Sequence, residues 1–242
     1  MAASLHFLHG RYCGPPPEPH GLWGAWNGDP ALLALFVCAI AITVRLPSER
    51  RAMWLGAIFA LALAFLSPLC ALSSALFSAR AVHHLLIVGA AAPLLALAVG
   101  RAPRIGPAAS LALFTAVLWL WHVPLFYDAA LANKALYWLM QASLLGASWL
   151  FWSAVIGGRP GADVMALVGA TIQMGFLGAL LSFAPDPLYA SHLATTVPFG
   201  LGPLEDQQLA GLLMWVPGML PFAFWAAWLG ARRWRHLAAA SA

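Results

Sequence analysis

Apolar residues run along this chain in blocks of 17 to 23, separated by short stretches of proline, glycine or charge. Seven blocks stand out, at roughly 30–46, 53–72, 82–100, 107–123, 134–156, 162–183 and 208–230. A helix needs about 20 mostly apolar residues to cross a bilayer. None of the blocks shows the short apolar–polar alternation of a membrane barrel strand. Backbone inside lipid must satisfy its own hydrogen bonds, so the pattern predicts an all-α integral membrane bundle of seven transmembrane helices. Residues 1–29 then form a Pro-rich lead-in, 30–230 the membrane domain and 231–242 a basic tail.

Composition sharpens this picture. Of 242 residues 62% are hydrophobic and only 8% charged, against about 25% charged in soluble domains. Such a chain cannot cover a water-facing surface, and with a mean hydropathy of +0.82 it is neither disordered nor a nucleic-acid binder. The net charge of +4 has a topological meaning instead. With the N-terminus outside, Arg45, Arg50, Arg51, Arg101, Arg104, Arg159, Arg232, Arg233 and Arg235 all fall on the cytoplasmic side, leaving Arg11, Arg80 and Lys134 outside. The positive-inside rule selects that orientation, with the C-terminus cytoplasmic. Tryptophans such as Trp23, Trp26, Trp149, Trp152, Trp225 and Trp228 sit near predicted span ends, at headgroup level.

The first 29 residues lack the basic and apolar regions of a cleavable signal peptide, and their Gly14–Pro19 stretch reads as an extended external lead-in. The three cysteines do not suggest a disulfide framework. Cys38 and Cys70, in or at the end of spans, are expected to pack as small apolar residues.

In this orientation seven of the eight histidines and six of the eight acids face outside. His83 and His84 open the third span there, beside Arg80, and Pro93 is expected to kink the same span. His83 and His84 lie about 100° apart on a helix, so they cannot share one face. His122 closes the fourth span, followed by Pro124, Tyr127 and Asp128. Asp206, Gln207 and Gln208 open the last helix, where Asp206 suits the N-cap or first turn. Neutral imidazole binds copper or zinc, which makes His84 and His122 metal candidates, with His83 as a third. The alternative is interhelical hydrogen bonding. His6, His9, His20 and His192 read as solvated loop residues. Met214 and Met219 have soft sulfurs that suit Cu(I), though apolar packing is the plainer reading. No nucleophile–base pair or nucleotide loop is present, so no enzyme is expected.

Three segments together resemble the CtaG-type cytochrome c oxidase assembly factors of bacterial membranes. They are His84-Leu-Leu with Ala92-Pro93-Leu94-Leu95, then Trp121-His122-Val123-Pro124 with Tyr127-Asp128-Ala129-Ala130-Leu131, and Asp206-Gln207-Gln208-Leu209-Ala210-Gly211 with Met214-Trp215-Val216-Pro217-Gly218. Pro187-Leu188-Tyr189 also fits. The resemblance implies a multi-pass protein of the bacterial inner membrane that helps mature a haem–copper oxidase, with copper as transient cargo. Oxidase subunits or assembly intermediates would be its partners, besides lipid. It makes His84, His122 and His83 metal ligands, with Arg80, Tyr127, Asp128, Asp206, Gln207 and Gln208 as supporting or docking groups. The family pattern has histidine pairs four residues apart where this chain carries Arg80 with His84, and Tyr137 with Gln141. Other readings are a metal-free scaffold or oxidase-associated subunit, and, third, a copper or small-solute transporter.

Overall fold

Proline sets where most helices begin. Pro30, Pro68, Pro107, Pro124 and Pro203 each stand at the first position of a helix, where a missing N–H costs nothing. The computed structural model describes residues 11–100, 105–156 and 161–240, with side chains to residue 235. His6, His9, Arg101, Arg104 and Arg159, and the side chain of His236, therefore lie outside the described residues.

The helices are α1 (Pro30–Ile42), α2 (Ser48–Phe65), α3 (Pro68–Ala75), α4 (Phe77–Val99), α5 (Pro107–Leu120), α6 (Pro124–Ala132), α7 (Lys134–Ile156), α8 (Ala162–Phe183) and α9 (Pro203–Ala240). No strand occurs among the described residues. By length and apolarity α4, α7, α8 and α9 can each cross a membrane. Two further spans arise if α2 with α3, bent by 46°, and α5 with α6, bent by 72°, each count as one. The bends follow from Pro68 and Pro124, since a proline disfavours helical backbone in the residue before it. The first predicted span, Pro30–Arg45, is apolar but shorter than the others. It tightens over Thr43–Arg45 and then runs extended at Leu46. The length test thus gives four to six spans, against the seven predicted.

The exterior is strongly apolar. Leu35, Val37, Ile172, Phe176 and Phe224 are each 62–67% exposed, a surface compatible with a multi-pass membrane protein rather than with water. At one end of the bundle Arg50 donates to the Val99 carbonyl at 3.1 Å and Arg233 pairs with Asp163 at 2.8 Å.

Glycine lets α8 and α9 touch backbone to backbone. A Cβ at Gly178 would lie 2.7 Å from both the Gly211 carbonyl and the Trp215 nitrogen. Close approach of this kind, rather than hydrophobic transfer, drives helix pairing in lipid.

The expected disturbance at Pro93 takes the form of a π-helical stretch, Leu86–Ala91, inside α4. There the Ala92 N–H bonds to the Ile87 carbonyl. The next carbonyl, Val88, would need an N–H from Pro93, which has none. Trp152 supplies the donor instead, its Nε1 lying 2.9 Å from the Val88 oxygen. Trp152 is fully buried, so its expected place at headgroup level is corrected, whereas Trp23, Trp26 and Trp228 are exposed. Trp152→Phe keeps the ring packing and removes the donor. It is expected to lower unfolding free energy by about 1–3 kcal/mol, the cost of an unpaired buried carbonyl, read as a reduced thermal midpoint in detergent. An unchanged midpoint contradicts the assignment.

Candidate functional site

The N-terminus of α4 has no cap of its own, because Leu76 precedes it. Asp206 fills that role from the first turn of α9. Its carboxylate accepts the Phe77 N–H at 2.6 Å, the Ser78 N–H at 3.1 Å and the Ser78 hydroxyl. The sequence places Asp206 in the first turn of its own helix, which holds; the amides it caps belong to another. Less than two turns further on, α4 presents Arg80, His83 and His84 to the bundle interior.

His84 is buried, and its Nε2 has no hydrogen-bond partner. His122 lies at the break between α5 and α6, also buried. Its Nδ1 is 2.7 Å from the Leu118 carbonyl. A carbonyl only accepts, so Nδ1 carries the proton and Nε2 keeps a free lone pair. The two ring centroids are 6.5 Å apart. Both imidazoles line one cavity of about 10 Å³, together with Met174 and Met214, which is room for about one water-sized sphere. Met219 is elsewhere, its sulfur packed against Gly175.

His83 is fully buried but does not line this cavity. Its ring sits edge-on to Phe65 at 4.9 Å, and both nitrogens are without partners. Arg80 lies over the Tyr137 ring at 5.4 Å. The Arg80 Nε and Nη1 and both amide atoms of Gln141 are likewise unpartnered. Among the described residues no group of three or more His, Cys, Asp or Glu stands close enough to hold a metal.

The remaining polar candidates fasten chain segments around the histidines. Asp128 accepts the Ala190 and Ser191 N–H groups at 3.1 and 3.0 Å. The Tyr189 hydroxyl donates to the His122 carbonyl at 3.0 Å. Gln207 accepts the Leu188 N–H at 2.6 Å and donates to the Leu181 and Asp186 carbonyls. Gln208 is only partly buried, and its carbonyl accepts from Ser182. His192 is not a solvated loop residue, as its sequence position led us to expect. It is buried, with Nδ1 donating to the Ala75 carbonyl at 3.1 Å and Nε2 accepting from the Tyr127 hydroxyl at 2.7 Å. A 3₁₀ turn, Ala190–His192, folds the loop inward and overrides its polar composition.

The lead-in closes over the same end. Arg11 is buried and donates to the Ser74 and Ser191 carbonyls, and Tyr12 stacks on Tyr137 at 5.0 Å. This fold-back brings Cys13 to Cys70, 57 positions away, and the two form a disulfide. The expectation that the cysteines are unpaired is thus corrected for Cys13 and Cys70. Cys38 is free and exposed. No spacing rule announces a bridge across such a separation. Met174 was equally invisible, an apolar residue within an apolar block.

Burial pushes the His192 pKa from 6.5 down to about 3, and the neighbouring arginines Arg80 and Arg11 push the same way. Below pH 6.5 the unfolded chain takes up a proton that the folded ring refuses, so stability present above that pH is lost as it falls toward 3. The thermal midpoint of the wild type is therefore expected to fall between pH 7 and pH 5. His192→Gln should show a flatter pH dependence; equal slopes contradict the assignment.

No curated protein and no solved structure matches the chain. The sequence model of the cytochrome c oxidase caa3 assembly factors (Caa3_CtaG) matches residues 33–104 and 104–236. With most of its length accounted for by that match, the chain belongs to the cytochrome c oxidase caa3 assembly factor family.

Proposed function

We propose that this protein serves oxidase assembly by holding one copper ion between His84 and His122 and passing it to an assembling haem–copper oxidase subunit. The observation that carries this reading is the meeting of two buried imidazoles, from different helices, at one ion-sized cavity. A buried nitrogen without a partner costs about 1–3 kcal/mol, and a bound ion would satisfy the His84 Nε2. The proton that His122 gives to the Leu118 carbonyl orients its ring, as a metal-bound imidazole requires. Asp206 is a positioning residue, acting through the start of α4. Tyr127, Asp128 and Gln207 act through the 184–202 loop. The work is binding and transfer rather than turnover.

The arrangement in the bilayer is also part of the proposal: seven spans, counting Pro30–Arg45, with the N-terminus outside and the C-terminus cytoplasmic. The Cys13–Cys70 disulfide supports this orientation, because such bonds persist in the oxidising space outside a bacterial inner membrane. The copper would then be held toward the outer face.

A metal-free scaffold is the second reading. The lack of any group of three His, Cys, Asp or Glu among the described residues favours it. Copper content decides between them. Protein purified in mild detergent, loaded anaerobically with Cu(I) and desalted, is expected to retain about one ion per chain. The His84→Ala, His122→Ala double variant should lose at least about tenfold in affinity, as removal of metal-site groups does. Wild-type protein without copper overturns the copper-carrying reading and leaves the scaffold.

A further inference from the structure

We propose that Met174 and Met214 are thioether ligands that complete, with His84 and His122, a four-donor site selective for Cu(I). This deepens the copper-holding reading above and rests on it. The four side chains come from α8, α9, α4 and the α5–α6 break, and all four line one cavity of about 10 Å³. Both methionines are buried, at 1% and 3% exposure. The rest of the wall is alanine, leucine and valine, so these four supply its only soft or basic donors.

The nearness of the two methionines is built into the backbone. Gly178 stands one turn beyond Met174, and Gly211 nearly one turn before Met214. Their backbone contact sets α8 against α9 at this level. A Cβ on Gly218, one turn beyond Met214, would meet the Met174 Cγ at 3.5 Å. Met174 therefore lies along the Met214 face of α9, a relation independent of the cavity itself.

Ligand chemistry then selects the ion. Two imidazoles and two thioethers are all neutral, and no carboxylate lines the cavity. The desolvation cost of a buried ion rises with the square of its charge, so a divalent ion pays about four times that of Cu(I). Thioether sulfur is soft and suits Cu(I), whereas zinc and Cu(II) sites draw on imidazole with thiolate or carboxylate. Two imidazoles sharing an ion through nitrogens at about 2.0 Å have centroids about 5 to 6.3 Å apart, from tetrahedral to linear. The rings stand at 6.5 Å, so a four-donor ion draws the two imidazoles together by roughly 1.5 Å.

Copper K-edge X-ray absorption on the Cu(I)-loaded, full-length protein tests this directly. The wild type is expected to show sulfur scatterers beside nitrogen. Met174→Leu with Met214→Leu conserves volume and should fold. It should lose the sulfur shell and weaken Cu(I) retention at least about tenfold against a competing chelator, a loss typical for altered metal sites. Copper bound through nitrogen alone, with retention unchanged in the double variant, overturns the thioether assignment and leaves the copper-carrying function standing. Absence of bound copper in the wild type overturns both.

Discussion

Inside a bilayer no water is at hand to satisfy a loose amide or carbonyl, and α4 has two places where its own backbone cannot do so. One is its start, where the Phe77 and Ser78 N–H groups project without a local cap; the other is the Val88 carbonyl, left by the proline at 93. Asp206 answers the first and Trp152 the second, each from a distant helix. These contacts clamp α4 between α9 and α7. Because His84 lies between the two clamps, its position is fixed by bonds that have nothing to do with a metal.

The same logic explains the polar residues that first drew attention. Tyr127, Asp128 and Gln207 bond to the loop from 184 to 202, Tyr189 ties that loop to the His122 carbonyl and His192 ties it to the end of α3. With the lead-in and its Cys13–Cys70 bond, they form a cover over one end of the bundle. The cavity between His84 and His122 is small, about 10 Å³, a setting in which a singly charged ion is desolvated at less cost than a divalent one.

The helical class was legible in the sequence because apolar blocks of spanning length leave few alternatives. Span count was less so. Pro68 and Pro124 break two blocks into bent pairs, and block length does not report a bend. His84 and His122 stood out as polar residues at block ends, and they do meet at one cavity. Met174 did not, since nothing separates a ligand methionine from a packing one until helix contacts are known. His192 and Cys70 were misread for the same reason: their environments come from segments far away in the chain.

The central claim is that one Cu(I) ion sits where His84, His122, Met174 and Met214 converge. An anomalous difference map at the copper edge, from crystals of the protein loaded with Cu(I), tests it most directly. The account expects one peak per chain, bounded by the two Nε2 atoms and the two sulfurs. A map with no peak there, or with copper only on the exposed His20, would contradict it.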